Sequence, residues 1–309
     1  MTTLLRARVR VPCSTSNLGS GYDTIGLALD RYLDASFAPT SGGGLVLERS
    51  GTLAGLDHDD GPDLVAQVLE SELARHGLTP TGVLRLSSTI PVARGLGASA
   101  AALLAGYDLS RAARCEPSDA DGALELAIRR EGHPDNAAPS LFGGLRAVAS
   151  TADGPVVIGL DLSEDVGFAY AAPAARISTR EARGMLPAKV PHRTAAATLG
   201  RFAALIRGLA EGNPDLIRIG VKDELHVPYR LPLIPNSMAA MSAATDAGAW
   251  AVTVSGAGSG LIAMCAPSDA EEIARAMHDV FDAATGDPEC VGFAVQPCLK
   301  GLERLEGGP

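Results

Sequence analysis

The segment from residue 82 to residue 114 constrains the fold most, because a strand, a glycine-rich loop and a helix follow one another without a gap. Residues 82–90, GVLRLSSTI, favour a strand. The loop PVARGLGASAA at 91–101 then leads into a helix rich in alanine and leucine. The first N–H groups of a helix have no intrahelical partner and lie at its positive end, so they bind anions readily. The segment predicts either a phosphate-binding loop or a plain strand-to-helix turn before a closely packed helix.

The loop lacks the lysine of the common phosphate-binding pattern G-x-x-x-x-G-K-[ST]. The chain's lysines are Lys189, Lys222 and Lys300, and none of them follows a glycine. The dinucleotide-binding pattern fits less well, because its third glycine is missing and the segment lies far from the first strand. Gly95 and Gly97 allow the backbone to approach an anion closely. An anion at this loop would therefore be held by backbone N–H groups and a serine hydroxyl.

Composition excludes several classes of protein. The chain has 309 residues, enough for two domains, and a net charge of -10. An acidic chain without a basic stripe is a poor candidate for binding nucleic acid or a membrane surface. The N-terminal segment does not resemble a secretory signal, and no apolar run approaches the ~20 residues that cross a bilayer. The five cysteines are scattered and lack a C-x-x-C pair, which favours a reducing cytoplasm.

Strand and helix patterns follow one another in irregular order. Alternation predicts strands at 6–12, 24–37, 82–90 and 166–173, and a glycine turn between two strands at 251–267. Helical spacing predicts helices at 62–77, 102–114, 119–131, 197–212 and 267–284. With hairpins expected, this order predicts an α+β fold rather than a doubly wound sheet. A composition shift at 150–165 places a domain boundary there, giving domains 1–160 and 161–309.

Three segments make the glycine loop specific. They are VPCSTSNLGSGYD at 11–23, PVARGLGASAA at 91–101 and VTVSGAGSGLIAM at 252–264. Together they resemble the motifs of the GHMP kinase superfamily, in which the middle motif holds ATP phosphates without a lysine. The resemblance implies a two-domain α+β GHMP kinase fold, with an N-terminal ribosomal-protein-S5-like nucleotide domain and a C-terminal ferredoxin-like domain. The third motif would then buttress the phosphate loop.

Within the superfamily the chain is most similar to the homoserine kinase family. The similarity rests on EGHPDNAAPSLFGGL at 131–145, ISTREARGMLP at 177–187 and VPYRLPLIP at 227–235. It extends from Val11 to about Met264. The resemblance implies phosphorylation of the L-homoserine side chain by ATP with Mg²⁺. The family is often dimeric, which makes a homodimer an expectation.

The resemblance also assigns the nucleotide side of the site. The loop residues expected to bind ATP are Pro91, Val92, Ala93, Arg94, Gly95, Leu96, Gly97, Ala98, Ser99, Ala100 and Ala101. Ser99 and Glu131 are the expected Mg²⁺ ligands, and Glu125 is a less suitable substitute. The family's loop reads G-L-G-S-S, and Ala98 replaces its first serine, so one hydroxyl contact is lost or replaced by a backbone N–H. The segment 57–65, DHDDGPDLV, lies where the family contacts nucleotide, although no residue in it can be assigned.

Six side chains are expected to contact the amino-acid substrate. They are Asn17, Asp23, His133, Thr179, Arg183 and Arg230. Asp23 supplies a carboxylate for the ammonium group, and a planar guanidinium binds a carboxylate in bidentate fashion. A site with both kinds of group binds a free amino acid at both ends. Galactose or mevalonate needs no such pair of contacts.

Asn136 and Asn17 are the expected catalytic residues. Relatives of the mevalonate kinase type carry an aspartate at the position of Asn136, and an asparagine amide is no base at neutral pH. We therefore expect catalysis by positioning and charge stabilisation, which a loose phosphoryl-transfer transition state permits. The alternatives are another small-molecule GHMP kinase, or a catalytically silent regulatory member. His192 and Cys13 are interpreted as structural.

Overall fold

The computed structural model describes residues 4–56 and 63–307. Its strands are β1 (Ala7–Ser16), β2 (Ile25–Pro39), β3 (Leu45–Gly51), β4 (Gly82–Ser88), β5 (Leu145–Thr151), β6 (Gly154–Leu160), β7 (Gly167–Ala172), β8 (Ala251–Val254), β9 (Leu261–Cys265), β10 (Val291–Val295) and β11 (Glu303–Glu306). Its α-helices are α1 (Leu64–Ala74), α2 (Ala98–Ala113), α3 (Ala120–Glu131), α4 (Ala137–Phe142), α5 (Thr179–Gly184), α6 (His192–Glu211), α7 (Pro214–Gly220), α8 (Val227–Arg230), α9 (Ser237–Asp246) and α10 (Ala270–Thr285).

The first sheet is built around the long strand β2. Its order in the described residues is β11–β1–β2–β4–β3, and β5 pairs with β2 and with β6. The pair β3–β4 is parallel, and the other pairs are antiparallel. Val9 and Val11 of β1 are fully buried because the alternating RVRV pattern turns them to the face that α2 covers. This sheet and α2 position the glycine loop.

Helix α2 is packed tightly because its residues are small. Ala100, Ala101 and Ala105 are fully buried, so the helix lies close to β1 and β2. Gly97 is its N-cap residue, with φ near +62°, and has no side chain to cap the first turn. The N–H groups of that turn are therefore left for a ligand.

The second sheet has the order β10–β7–β9–β8, with antiparallel pairs. Helices α9 and α10 pack on it, and Ile273, Met277 and Phe281 of α10 are fully buried in its core. No helix in residues 4–56 and 63–307 is both long enough and apolar enough to cross a bilayer.

The predicted α+β fold is confirmed, together with most of its elements. Helix α1 begins at Leu64, and Pro62, the predicted start signal, lies outside the described residues. Helix α6 begins at His192, five residues before the prediction, because Pro191 precedes it and the polar first turn is largely exposed. Strands β3, β5, β6, β10 and β11 and helices α4, α5, α7, α8 and α9 were not predicted.

The composition shift at 150–165 contains the turn of the β5–β6 hairpin and all of β6. Val156 and Ile158 of β6 are about half exposed. Because neither face of the strand is well buried, its sequence lacks the alternation of polar and apolar residues that predicts a strand. The predicted boundary at residue 160 coincides with the end of β6 and stays a prediction. Strand β11 returns to the first sheet beside β1, and Arg304 binds Asp108 of α2 at 2.7 and 3.0 Å. Residues after 300 therefore complete the N-terminal sheet.

Candidate active site

A cavity of about 470 Å³ lies where the three predicted motifs meet. Its walls include every predicted substrate, catalytic and metal residue, together with residues 92–99 of the loop. Three predicted loop residues do not line it: Pro91, Ala100 and Ala101 are buried in the surrounding packing. Ala100 and Ala101 belong to α2, which packs on β1 and β2 of the first sheet.

The loop 91–97 is held by the third motif. Ser255 donates its hydroxyl hydrogen to the Gly95 carbonyl at 2.7 Å and lies 2.9 Å from the Thr15 hydroxyl. Gly95 has φ near +77°, and a Cβ there would lie 2.1 Å from the Ser255 carbonyl oxygen. Only glycine fits this position. The contact is the buttress that the sequence predicts for the third motif.

Arg94 fixes the loop to the second sheet. Its buried guanidinium donates to the Glu289 carbonyl at 2.7 Å and pairs with the Glu289 carboxylate at 3.1 Å. The Tyr170 hydroxyl of β7 donates to the Arg94 carbonyl. The sequence assigns Arg94 to ATP. Two of its guanidinium nitrogens bind Glu289, and Nε has no hydrogen-bond partner among the described residues, so the ATP contact stays a prediction.

Ser99, in the first turn of α2, lies beside Glu131, the last residue of α3. The Ser99 hydroxyl lies close enough to the Glu131 carboxylate to favour its ionised form. Burial raises the pKa of Glu131 above its usual value, and the Ser99 hydroxyl offsets this only in part. One carboxylate oxygen, Oε2, is buried without a hydrogen-bond partner among the described residues. A buried carboxylate oxygen without a partner beside a serine hydroxyl is a donor set that suits Mg²⁺.

His133, Asp135 and Asn136 follow in the H-P-D-N turn. Nδ1 of His133 binds the Asp135 carboxylate, and both side chains are buried. Burial acts to raise the pKa of Asp135, but hydrogen bonds from His133 and Ser16 hold it below its usual value. Burial acts to lower the pKa of His133, and the bond to Asp135 leaves it raised. Asp135 is therefore an ionised, well-satisfied carboxylate and a weak base.

The Asn136 side chain is fixed at both ends by serines of β1. Its Nδ2 donates to the Ser16 hydroxyl at 3.0 Å, and its Oδ1 accepts from the Ser14 hydroxyl at 3.2 Å. A Cβ on Gly97 would lie 3.0 Å from Oδ1, so the amide packs against the loop. Asn136 therefore sits between the phosphate loop and the substrate wall in a single orientation.

The first motif forms a turn in a rare backbone conformation. Asn17, Leu18 and Asp23 all have positive φ, between 46° and 73°. The Asn17 amide spans this turn: Oδ1 accepts from the Asp23 N–H at 2.9 Å, and Nδ2 donates to the Gly256 carbonyl at 2.8 Å. These contacts aim the Asp23 carboxylate at the cavity and tie the turn to the third motif.

Asp23 and Arg183, predicted to bind opposite ends of the substrate, bind each other. The guanidinium contacts the carboxylate oxygens at 2.6 and 3.1 Å and the Tyr22 hydroxyl at 3.3 Å. Asp23, His133 and Asp135 also carry ligand atoms within 4.8 Å of one another. Because Arg183 already neutralises Asp23, we interpret this group as a polar substrate wall rather than a metal site.

Arg230 also lies against Tyr22. Its guanidinium carbon is 5.2 Å from the centre of the Tyr22 ring, and Nη1 donates to the Gly256 carbonyl at 3.0 Å. The residue is 1% exposed yet lines the cavity, and its Nε has no hydrogen-bond partner among the described residues. A buried cation with an unused donor is poised to bind an anionic ligand group.

Comparison with known proteins decides the family. Residues 63–144 match the GHMP kinases N terminal domain, and residues 203–283 match the GHMP kinases C terminal domain. The homoserine kinase of Synechococcus sp. (strain CC9902) is 40% identical over 286 residues, which cover 90% of each chain. That of Microchaete diplosiphon is 36% identical over 280 residues, covering 90% of this chain and 91% of the relative. The chain belongs to the GHMP kinase family.

Solved structures agree with this assignment. The crystal structure of homoserine kinase from Cytophaga hutchinsonii superposes with a TM-score of 0.83 and 25% identity, covering 97% of each chain. As a GHMP kinase, the chain is an ATP-dependent small-molecule kinase. The predicted fold and enzyme class are thereby confirmed.

The GHMP kinase cavity continues from the phosphate loop into an apolar end that the sequence did not reveal. It is lined by Leu33, Leu53, Leu56, Leu64, Leu86 and Ile90. Arg49 and Asp63 close this end through a contact of 3.2 Å, and Asp63 also caps α1. Residues 57–62 of the predicted nucleotide segment lie outside the described residues, whereas Asp63, Leu64 and Val65 line the cavity. An apolar slot beyond a phosphate loop suits a flat nucleobase.

Proposed function

We propose that this kinase transfers the γ-phosphoryl group of ATP to the side-chain hydroxyl of L-homoserine, giving O-phospho-L-homoserine and ADP. One observation carries the proposal: a carboxylate, Asp23, and two guanidinium groups, Arg183 and Arg230, share one wall beside the phosphate loop. A free amino acid carries the complementary ammonium and carboxylate groups. The relatives of 36–40% identity are named homoserine kinase, which favours homoserine over other free amino acids.

Substrate binding would exchange partners at Asp23. The ammonium group replaces the Arg183 guanidinium on Asp23, and Arg183 turns to the substrate carboxylate together with Arg230. Each charge then keeps a partner, so the exchange does not leave a buried ion unpaired. Thr179 at the start of α5 and His133 line the same space and contact the substrate's polar atoms.

The phosphate side uses backbone donors and Mg²⁺. The N–H groups at the start of α2 and the loop backbone bind the ATP phosphates. Ser99 and Glu131 would hold Mg²⁺, since they offer a hydroxyl and a buried carboxylate oxygen without a partner. When bound, the ion supplies positive charge to the phosphates. The residues around the site orient the two substrates and exclude water.

Catalysis proceeds by positioning rather than through a side-chain base. The fixed Asn136 amide orients the attacking hydroxyl, and the Asn17 amide keeps the Asp23 turn in shape. Asp135 is already bound by His133, and its pKa lies below its usual value, which makes it a weak base. The hydroxyl therefore loses its proton late, to a phosphate oxygen or to water.

Two further expectations belong to this proposal. A homodimer in the cytoplasm is the predicted form of the enzyme, and Leu199 of α6, which is 73% exposed, is available for a subunit contact. The product tests the main claim. ³¹P NMR of a reaction with ATP, Mg²⁺ and L-homoserine is expected to show a phosphomonoester coupled to the side-chain CH₂. Formation of ADP and inorganic phosphate alone would contradict it.

A further inference from the structure

His226 joins the first motif to Arg230. It is fully buried before α8, and its ring stacks on Tyr22 with 5.1 Å between centres. Nε2 lies 2.9 Å from the Gly19 carbonyl oxygen, and Nδ1 lies 3.2 Å from Nη1 of Arg230. One imidazole therefore contacts both the turn that carries Asp23 and the Arg230 guanidinium.

The partners of the imidazole fix its protonation. The guanidinium of Arg230 only donates hydrogen bonds, so Nδ1 has to accept. The Gly19 carbonyl only accepts, so Nε2 has to carry the proton. A second proton on Nδ1 would remove the acceptor and place a positive charge beside the Arg230 cation. The geometry thus selects one neutral tautomer of His226.

Other charged groups near the ring agree with a neutral imidazole. The Asp223 carboxylate lies 3.7 Å from Nε2, but it accepts hydrogen bonds from the backbone N–H groups of Leu225, His226 and Val227 at 2.7 to 3.0 Å. Its charge is therefore largely used at the start of α8. Burial and Arg230 lower the pKa of His226 to about 4, against the opposing effect of Asp223.

We propose that His226 is a positioning residue for the amino-acid substrate: its neutral Nε2–H tautomer holds Arg230 in the orientation that binds the substrate carboxylate. This inference rests on the proposed function. Arg230 has two acceptors for Nη1, the Gly256 carbonyl and His226. Without the second one, Nη1 keeps a single hydrogen bond, and the direction of the guanidinium is fixed less tightly.

Two isosteric substitutions separate the two contacts. The side-chain amide of Asn reaches the position of Nδ1, so His226→Asn keeps an acceptor for Arg230 and loses the donor to Gly19. The amide of Gln reaches the position of Nε2, so His226→Gln keeps the donor and loses the acceptor. His192→Gln is the matched control, because His192 is exposed at the start of α6. Steady-state kinetics for L-homoserine and ATP and the Tm are measured for each.

We expect His226→Gln to raise KM for L-homoserine about 10- to 100-fold with kcat and KM for ATP little changed, because carboxylate binding acts in ground and transition states alike. His226→Asn is expected to restore KM to within a few-fold of wild type. Equal effects of the two substitutions, or an unchanged KM in His226→Gln, would overturn the inference while the wild-type turnover still supports the proposed function. Failure of the wild-type enzyme to use any free amino acid would overturn both.

Discussion

The guanidinium of Arg183 donates two hydrogen bonds to the carboxylate of Asp23, of 2.6 and 3.1 Å. The two residues are 160 positions apart in the sequence. Both side chains are about one-third exposed, so the pair contributes about 1 kcal/mol or less to folding. A pair that adds little stability and lines a cavity is suited to exchange its partners for a ligand's charges. In the structure, the two groups that we propose bind the substrate neutralise each other.

Asp23→Asn is expected to raise KM for L-homoserine about 10- to 100-fold, because a neutral amide cannot balance the substrate ammonium. Asparagine tolerates the positive φ of this position, so the fold should be kept. Asp34→Asn is the matched control, since Asp34 makes a two-point pair with Arg10 at 2.9 and 3.1 Å outside the cavity. A purely structural Asp23–Arg183 pair would lower the Tm in Asp23→Asn and leave KM unchanged.

Gly95→Ala is expected to impair both folding and ATP binding. The new Cβ would lie 2.1 Å from the Ser255 carbonyl oxygen, so the loop and the third motif would have to separate. Gly77→Ala is the control for backbone strain alone, because Gly77 has φ near +69° and an added Cβ there meets no other atom. We expect that control to cost about 1 to 2 kcal/mol of stability and to leave KM for ATP unchanged. If the two variants lose the same stability and have the same KM for ATP, the proposed support of the loop by the third motif is wrong.

Glu131→Gln is expected to weaken the Mg²⁺ dependence of ATP binding. The amide is a poorer ligand than the carboxylate, so calorimetric titration should show a loss of the Mg²⁺-induced gain in ATP affinity. Glu125→Gln is the control, because Glu125 lies on the exposed face of α3 and pairs with Arg129 at 2.6 Å. An equal Mg²⁺ response in both variants would remove Glu131 from the metal site.

Asn136→Ala should lower kcat about 10- to 1000-fold while L-homoserine still binds, because the fixed amide acts on the reacting hydroxyl. Asn213→Ala, which removes the cap of α7, is expected to cost about 1 kcal/mol of stability without changing kcat. Near-normal turnover by Asn136→Ala would contradict its catalytic role.

The pH dependence of stability should reveal His226. Its pKa is about 4 in the folded chain and 6.5 ordinarily, so between these values the unfolded chain binds a proton that the folded chain does not. Its contribution to stability is therefore complete above pH 6.5 and is lost as the pH falls towards 4. The free energy of unfolding of wild type relative to His226→Gln is expected to fall over that range. A constant difference would show that His226 titrates normally.

Much of this site could be predicted because its chemistry lies in continuous motifs. The loop around Gly95 and Gly97, Ser99 with Glu131, and the turn at Asn136 were predicted from motifs that resemble those of the GHMP kinase superfamily. Strand and helix periods also predicted most elements, since buried faces repeat at every second residue or every third to fourth residue.

Other features depend on distant contacts. The Asp23–Arg183 pair, the Arg94–Glu289 contact and the link from His226 to Gly19 each join segments more than 150 residues apart. Residues 303–306 form strand β11 because they pair with the edge of β1. The sequence of these four residues does not by itself predict a strand. The apolar end of the cavity collects ordinary leucines from several elements, and each of them looks like core in the sequence.

The choice of acceptor is best tested by the rate of ADP release with ATP and Mg²⁺ on a panel of five compounds: L-homoserine, L-threonine, L-serine, mevalonate and galactose. We predict strong turnover with L-homoserine and little with the others, because only an amino acid with the longer hydroxyl arm reaches from the charged wall to the phosphate side. Turnover on mevalonate or galactose would contradict the assignment of Asp23, Arg183 and Arg230 to a zwitterion. ATP binding without turnover of any acceptor would contradict the catalytic role proposed for the site.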